Sequence, residues 1–472
     1  MFSPSQMKAR AEAAKGPAAA LAERGAKFVQ IEVPDINGTV RGKIAGIKKA
    51  LSPAGTALST LTVSFRSRDE VSLTPFSNFD NAFPKFVAVP DTSTVVSWPW
   101  SGDMGAVLCD LYMEDGSPCP MDARQILKNV VAEYHKLDLE PRAAIEYEFY
   151  VYEADDTLLR EGRYRELKTF GRGWDCYSVA RFPTFEPVAK EFLTRMEGIG
   201  IDVEAFHTEL GHGMLEFTMG HESPVKAADD AARTKLYFKQ LCAEQGLVVS
   251  FMPAIYVGTG DSASGAHHHL SFWRDGKNIS WDPDKKTLGA VTRKVAAGMM
   301  DTMTDFHLVF RPWVNSYRRM NYLQWNPENT SWGLDNHTTA IRVIHGAVPA
   351  QQTRLEHRTP GSDVNPYLSL AVMLLGGLYG IQNDLDPGAY ADGDPMKYDR
   401  FQLLPKTLPD SIKAFRESKH TRTMLGEAFV DHFAALKTDE WNDFAKWAED
   451  KGVPLSTEDV TDWEFERYFV WA

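Results

Sequence analysis

Four separated segments of this chain carry acidic and histidine side chains in patterns typical of metal or phosphate sites, and they constrain the fold most. The residues are Glu146, Glu148, Glu209, Glu216, His267 and Glu356. Carboxylate oxygens and imidazole nitrogens suit divalent cations such as magnesium and manganese. The accompanying basic residues are Arg319, Arg342, Arg354 and Arg358. Because proteins hold and transfer phosphoryl groups with divalent metals and arginine, the sequence predicts an enzyme that uses ATP.

The strand-like run IEYEFYVYE shows why such residues point to a site. Its period of two places Glu146 and Glu148 on one face, while Ile145, Tyr147 and Phe149 take the other. Two like charges on one sheet face are destabilising unless a cation lies between them. A solvent-exposed strand face is the alternative reading for this pair alone.

The other segments are each ambiguous when taken singly. Glu209 and Glu216 flank a turn with two glycines, and such acidic loop residues are usually just solvated. His267 and His269 share a strand face that His268 opposes, although a lone histidine is more often a packing or surface residue. The run RLEHR around residue 356 also reads as a surface ladder of ion pairs, which contributes little stability. Their joint occurrence is more specific than any one of them.

Length and composition limit the classes of protein. A chain of 472 residues exceeds one hydrophobic core, so we expect two domains. The net charge of −13 argues against binding to nucleic acid or anionic membranes. The four cysteines match no zinc or disulfide framework and indicate reduced thiols in a cytoplasmic protein. The longest apolar run, YLSLAVMLLGGLYGI, is too short for a membrane span and predicts a buried helix.

Hydrophobic patterning predicts strands first and then a mixture of strands and helices. Residues 27–110 read as short strands and turns, with a hairpin at Asn37-Gly38. A boundary follows, after which Asp122 and Gln125 form a capping-box pattern that opens a helix. Further strands are predicted at 143–152, 202–206, 214–219, 248–257 and 266–273. Further helices are predicted at 187–199, 223–246, 289–312, 365–383 and 409–416.

These motifs together resemble the glutamine synthetases, and the resemblance covers about residues 25–460. They are DGSPCPMDAR, EYE, the two glutamates of 209–216, SGAHHHLS, NSYRR at 315–319, N-x5-R at 336–342, and RLEHR with NPYL. The resemblance implies an α+β fold with an N-terminal β-grasp domain in residues 1–112. A catalytic domain in 113–472 would form an antiparallel funnel, open to ATP at one end and to glutamate at the other. It also implies a homo-oligomer of stacked rings, such as a dodecamer, with active sites completed by the neighbouring subunit.

The resemblance also assigns residues to roles. One metal site would use Glu148, Glu209 and Glu216, and a second Glu146, His267 and Glu356, for two or three magnesium or manganese ions. ATP would be bound by His269, Ser271, Arg342 and Arg354. Glutamate would be bound by Arg319, Ala263 and Arg358. The catalytic residues would be Arg319, Arg342, Arg358 and His337, which stands where the family has arginine.

Several departures from the family fall where ammonium would bind. The N-terminal DGSS-type segment is absent from STLTVSFRSRDEV, Trp325 stands where a loop glutamate is expected, and Met214 replaces a glutamine. An ammonium ion needs acceptors and negative charge, which these side chains lack. They suit the apolar body of a larger amine instead. We therefore predict an acceptor pocket that includes Trp325, Met214 and Phe65, although Glu328 lies near enough to restore a carboxylate.

The resulting hypothesis is an ATP-dependent γ-glutamyl amide ligase that uses a small alkylamine or an arylamine such as aniline, as in aniline degradation. An ammonia-using glutamine synthetase is the nearest alternative. A catalytically inactive scaffold and a kinase that phosphorylates without ligation are two others. Tyr398 lies near a position that is adenylylated in some bacterial glutamine synthetases, but its surroundings differ from theirs.

Overall fold

The computed structural model describes residues 2–171, 173–255, 261–321 and 325–472. Its helices are α1 Pro4–Glu23, α2 Ile47–Ala50, α3 Ala123–His135, α4 Asp156–Arg160, α5 Phe182–Gly198, α6 Pro224–Glu244, α7 Ala290–Thr302, α8 His307–Phe310, α9 Pro349–Gln352, α10 Pro366–Gln382, α11 Leu408–Glu417, α12 Lys419–Leu425, α13 Glu427–Lys451 and α14 Asp462–Tyr468. Its strands are β1 Phe28–Pro34, β2 Val40–Gly46, β3 Thr56–Ser59, β4 Lys85–Pro90, β5 Val96–Ser97, β6 Met104–Tyr112, β7 Glu140–Glu153, β8 Val203–Thr208, β9 Met214–Met219, β10 Leu247–Ser250, β11 Ala266–Arg274, β12 Lys277–Asn278, β13 Trp281–Asp282, β14 Thr287–Leu288, β15 Trp332–Leu334, β16 Ile341–Ile344 and β17 Arg354–His357.

Two large sheets organise the described residues, beside a small sheet of β13 and β14. The first has the strand order β2-β1-β6-β4-β3, with β5 also on β6, and β1 and β6 run parallel. The second has the order β15-β16-β17-β11-β7-β9-β8, with β10 on β7 and β12 on β11. Its pairs are antiparallel except for β15 with β16. The expected α+β class is confirmed, while the β-grasp name and the division at residue 112 stay predictions.

Local sequence signals explain where several elements begin. Gly38 has a φ of +86°, which glycine adopts without strain, and it lies in the turn between β1 and β2 as predicted. Asp122 caps α3 by accepting the amide N–H groups of Arg124 and Gln125. The reciprocal half of the predicted capping box is absent, because the Gln125 side chain instead donates to Asn129 at 3.0 Å.

The structure corrects two of the predicted elements. The single helix expected at 289–312 is two helices, α7 and the short α8. The strand expected at 248–257 is Leu247–Ser250, and residues 256 and 257 lie outside the described part of the chain. Helices α12, α13 and α14 and strands β15 to β17 were not predicted. No helix among the described residues is long and apolar enough to cross a bilayer.

A buried polar contact joins the first sheet to the helices that cover the second. Glu32 on β1 is 0% exposed, and it accepts hydrogen bonds from Arg233 at 2.8 Å and Tyr237 at 2.6 Å. Both partners lie on α6, which packs against β7. Because a buried carboxylate is stable only when paired, this contact fixes the first sheet relative to the central strand of the second.

Candidate active site

Neighbouring strands of the second sheet bring the predicted acids and histidines to one place. Residues directly opposite each other on paired strands have Cβ atoms about 5 Å apart. The opposed pairs are Glu146 with His267, Glu148 with Glu216, His269 with Glu356, and His207 with Glu216. The register of β7, β8, β9, β11 and β17 therefore assembles the site from segments that are far apart in the chain.

The first group, here the Glu146 cluster, consists of Glu146, His267, His269 and Glu356. His267 Nδ1 lies 2.6 Å from Glu146 Oε1 and 3.5 Å from Glu356 Oε1, and His269 Nε2 lies 3.3 Å from Glu146 Oε2. Burial raises the pKa of Glu146, but hydrogen bonds from the two histidines outweigh it and hold this pKa well below its ordinary value. His268 was predicted to lie on the opposite face of the strand from His267 and His269. It is fully buried, and burial lowers its pKa to about 3.

The second group, here the Glu216 cluster, consists of His207, Glu209 and Glu216. His207 Nε2 lies 3.1 Å from Glu216 Oε1, and its Nδ1 lies 3.6 Å from Glu209 Oε1. Burial, reinforced by the charges of nearby glutamates, raises the pKa of Glu216 to about 8. The predicted third ligand, Glu148, accepts the amide N–H of Gly265 at 2.5 Å, and its charge adds to burial in raising the pKa of Glu209.

His207 was missed by the sequence analysis, although it lies two residues before Glu209 in HTELGHGMLE. Residues two apart on a strand share a face, which would have placed His207 and Glu209 together. Glu209, however, lies just past the end of β8. Burial lowers the pKa of His207, and the hydrogen bond to Glu216 reverses this and raises it to about 9. A cation that binds the histidine and the glutamate would displace protons from both.

The donor atoms of both clusters fit divalent cations. Within each cluster, ligand atoms of three residues lie within 4.8 Å of one another: Glu146, His269 and Glu356 in one, and His207, Glu209 and Glu216 in the other. Carboxylate oxygens with imidazole nitrogens are suitable ligands for magnesium and manganese. Burial and then the charges of neighbouring glutamates raise the pKa values of Glu209 and Glu216, and a bound cation would offset both effects.

Cation binding should therefore release a proton near neutral pH. Glu216, with a pKa of about 8, is mostly protonated at pH 7, whereas a metal ligand must be deprotonated. We expect magnesium or manganese affinity to rise with pH up to about pH 8 to 9 and then to level off. Isothermal titration calorimetry in buffers of different ionisation enthalpy measures the release. The Glu216→Gln variant should release fewer protons, and pH-independent binding without proton release would contradict the assignment.

Two arginines converge on Glu356. This carboxylate is 1% exposed and accepts hydrogen bonds from Arg358 Nη1 on one oxygen and from Arg342 Nη1 on the other, the latter at 3.1 Å. Arg358 Nε donates to the carbonyl oxygen of His337 at 2.9 Å. The His337 side chain is exposed, and burial of its inner edge together with the two arginine charges lowers its pKa. His337 is therefore neutral at pH 7.

Arg319, Arg354 and Ser271 border the Glu146 cluster. Arg354 Nε lies 3.2 Å from His269 Nδ1. Arg319 is 1% exposed and donates from Nη1 to the carbonyl oxygen of Thr359 at 2.9 Å, while its Nε has no partner. The hydroxyl of Ser271 accepts from Trp273 at 2.9 Å. Ala263 is buried and lies three residues before the start of β11.

The predicted acceptor-pocket residues differ in their surroundings. Met214 is 1% exposed on β9, and Trp325 is 55% exposed. The Phe65 ring lies under the guanidinium of Arg41 at 4.7 Å, and its carbonyl accepts from Asn37. Among the described residues, no hydrogen bond, ion pair or ring contact joins Met214, Trp325 and Phe65.

A different loop presents aromatic side chains beside the Glu216 cluster. This aromatic loop consists of Trp174, Cys176 and Tyr177. The Tyr177 ring stacks on His207 with centroids 4.7 Å apart, and Cys176 Sγ donates to Glu209 at 3.7 Å. Trp174 and Tyr177 are 52% and 68% exposed. Tyr177 also has a φ of +54°, a strained value that clusters at functional sites.

The chain shares its catalytic domain with known enzymes. Residues 120–468 match the family model described as glutamine synthetase, catalytic domain. Glutamate–isopropylamine ligase from Pseudomonas sp is 30% identical over 452 residues, which cover 93% of this chain and 94% of the relative. Type-1 glutamine synthetase 2 from Dictyostelium discoideum is 30% identical over 449 residues, which cover 93% of this chain and 83% of the relative.

Solved structures agree with this fold. GmaS without ligand has a TM-score of 0.78 at 25% identity, covering 95% of this chain and 97% of that one. The domain match and the sheet that carries the site define an enzyme that is a carbon–nitrogen ligase. The chain belongs to the glutamine synthetase family.

Proposed function

We propose that this enzyme uses ATP to phosphorylate the γ-carboxylate of glutamate and then joins the acyl group to an organic amine. The products are a γ-glutamyl amide, ADP and phosphate. The observation that carries the proposal is the pairing of two acidic clusters with arginines, of which Arg342 and Arg358 bind Glu356 and Arg354 binds His269. Such a site suits the charge of a triphosphate and a carboxylate held together.

Unpaired donors of two arginines support anionic ligands here. Arg319 Nε and Arg342 Nε are buried and have no hydrogen-bond partner in the described part of the chain. A buried donor left unpaired is costly, and a phosphate or carboxylate oxygen would satisfy it. We propose, as the family resemblance implies, that Arg342 and Arg354 hold ATP phosphates. Arg319 and Arg358 would hold glutamate carboxylates and the transferred phosphoryl group.

The chemistry explains why phosphorylation comes first. A carboxylate is a poor acyl donor because oxide is a poor leaving group. Phosphorylation turns that oxygen into part of a phosphate, which leaves when the amine nitrogen attacks the carbonyl carbon and loses a proton. When bound, divalent cations would neutralise the phosphate oxygens during transfer. The arginines keep the two anions in line, and the closed site must exclude water from the acyl phosphate.

Aromatic surface beside Glu209 supports an organic amine as acceptor. Tyr177 and Trp174 present exposed rings close to the Glu216 cluster, and Cys176 touches Glu209. An ammonium ion gains little from such rings, whereas an alkyl or aryl group gains burial and ring contact. Glu209 supplies a carboxylate toward which the nitrogen can point. The named activity of the Pseudomonas relative, a glutamate–isopropylamine ligase, is of the same kind.

A panel of amines tests this proposal. Purified protein is incubated with glutamate, ATP, magnesium and either ammonia, methylamine, isopropylamine, ethanolamine or aniline. Phosphate release and the mass of the amide are measured. We expect an alkylamine or arylamine to give the highest kcat/KM. The highest value with ammonia would contradict the proposal, and phosphate release without an amide would indicate a kinase.

Ammonia use is the second candidate function. The Dictyostelium glutamine synthetase is as similar to this chain as the isopropylamine ligase, at 30% identity. Glu328 is also close to Trp325 in sequence, although its carboxylate lies 4.0 Å from Lys406. The same panel separates the two candidates.

We also propose that the enzyme works in the cytoplasm as a homo-oligomer of stacked rings, with active sites between subunits. The unpaired donors of Arg319 and Arg342 are compatible with completion of the site by a neighbouring subunit. Native mass spectrometry measures the subunit number, and a catalytically active monomer would contradict this arrangement.

A further inference from the structure

Arg311 is a buried cation that forms no ion pair with any described residue. It follows α8 directly and is 0% exposed. Its Nη2 donates to the carbonyl oxygen of Pro327 at 3.1 Å, whereas Nε and Nη1 have no hydrogen-bond partner. A buried charge without compensation destabilises a fold strongly. Its presence therefore needs a reason beyond packing.

The surroundings of Arg311 compensate its charge only in part, because Asp363 and Glu328 act on it from a distance and neither forms an ion pair with it. His307, at the start of α8, is fully buried, and neither ring nitrogen forms a hydrogen bond of ordinary geometry, although the carbonyl of Pro405 lies nearby. Burial, and then the positive charge of Arg319, lower the pKa of Arg311 to about 9. The guanidinium is still charged at neutral pH. Its bond to a carbonyl is therefore charge-assisted and stronger than a neutral one.

The carbonyl that Arg311 holds belongs to the short segment 325–328. On one side of it, Asn326 Nδ2 donates to the main-chain oxygen of Arg319 at 2.9 Å. On the other, the main-chain oxygen of Glu328 accepts from Leu404 at 2.9 Å. Proline has no N–H, so its carbonyl is the only main-chain group by which residue 327 can be held. Three hydrogen bonds thus hold Asn326, Pro327 and Glu328 in place, and the first of them joins this segment to Arg319.

We propose that Arg311 is a positioning residue for acceptor selection, which acts by holding the Pro327 carbonyl so that Trp325 and Glu328 keep their places. The proposal rests on the proposed function and on the sequence prediction that Trp325 borders the acceptor amine. In this proposal Arg311 itself contacts none of the three substrates. Its effect is therefore expected on the binding of one substrate and not on the chemistry of phosphoryl transfer.

Replacement of Arg311 by methionine tests the idea, because methionine retains an unbranched chain but loses the charge and the donors. We expect the KM for the preferred amine to rise about 10-fold, because one charge-assisted hydrogen bond is lost. The KM values for ATP and glutamate should change less than about 3-fold. Arg311→Lys should recover part of the loss. In Arg311→Ala, added methylguanidinium should lower the KM for the amine again.

The control variant is Arg160→Met, which removes an exposed contact of the Asp156 side chain and should leave all three KM values unchanged. Equal rises in the three KM values of Arg311→Met, or none, would overturn the proposal. If this variant does not fold, Arg311→Lys and methylguanidinium rescue decide, and a failure of both to restore amine binding also overturns it. Wild-type protein that makes no amide in the same assay would contradict the proposed function instead.

Discussion

Replacing Glu356 with glutamine is expected to lower kcat about 1,000-fold, the loss typical for a group that organises charge in the transition state. Glu356 is buried, opposes His269 on the neighbouring strand, and accepts hydrogen bonds from Arg342 and Arg358. Glutamine keeps its size but removes the charge that balances two arginines and binds a cation. Steady-state phosphate release with glutamate and the preferred amine measures the effect.

Two controls separate this effect from unfolding. Glu466→Gln changes an exposed glutamate whose partner is Arg68, and it should alter kcat less than 2-fold. Glu356→Asp keeps the charge and should retain more activity than Glu356→Gln. Circular dichroism compares the melting of the variants. A folded Glu356→Gln enzyme that loses less than 10-fold in kcat would contradict a role for this residue in holding cations and arginines.

Removing the Tyr177 ring is expected to raise the KM for an apolar amine by about 30-fold, through lost burial and ring contact of about 2 kcal/mol. The reason is the position of the ring, which is exposed, stacks on His207 and neighbours the Cys176–Glu209 contact. Tyr177→Ala should leave cation and ADP binding within 3-fold of the wild type. The full panel of amines, including ammonia, gives the change in kcat/KM for each acceptor.

Phe79→Ala is the matched control, since this aromatic side chain is 77% exposed and lies in the N-terminal part of the chain. Trp325→Ala, measured beside it, compares the acceptor residue predicted from sequence with the one indicated by the structure. An unchanged KM for every amine in Tyr177→Ala would remove the aromatic loop from the acceptor pocket. A uniform loss that includes ammonia would show a structural role for the ring.

Strand periodicity predicted the part of the site that depends on local geometry. The alternation in IEYEFYVYE placed Glu146 and Glu148 on one face, and in the structure Ile145, Tyr147 and Phe149 are fully buried on the other. The alternation in the sequence is retained in the structure because successive side chains of a strand point to opposite faces. The same reasoning correctly separated His268 from its neighbours.

The parts of the site that the sequence did not predict depend on contacts between segments that are distant in the chain. His207 gained its place because β8 pairs with β9 and brings it opposite Glu216, and strand pairing is not visible in either segment alone. The aromatic loop follows no period, so GRGWDCYSV gave no signal. Helix α13 differs, because its buried Phe429, Phe433 and Leu436 lie three or four residues apart. This spacing of three to four residues is typical of a helix.

Transfer of a labelled oxygen tests the central claim most directly. The preferred amine, ATP and magnesium are combined with glutamate that carries oxygen-18 in its γ-carboxylate, and the released phosphate is analysed by mass spectrometry. If the enzyme activates glutamate as an acyl phosphate, one carboxylate oxygen leaves with each phosphate, so amide and labelled phosphate form in equal amounts. Unlabelled phosphate, or label that appears without an amide, would contradict the account.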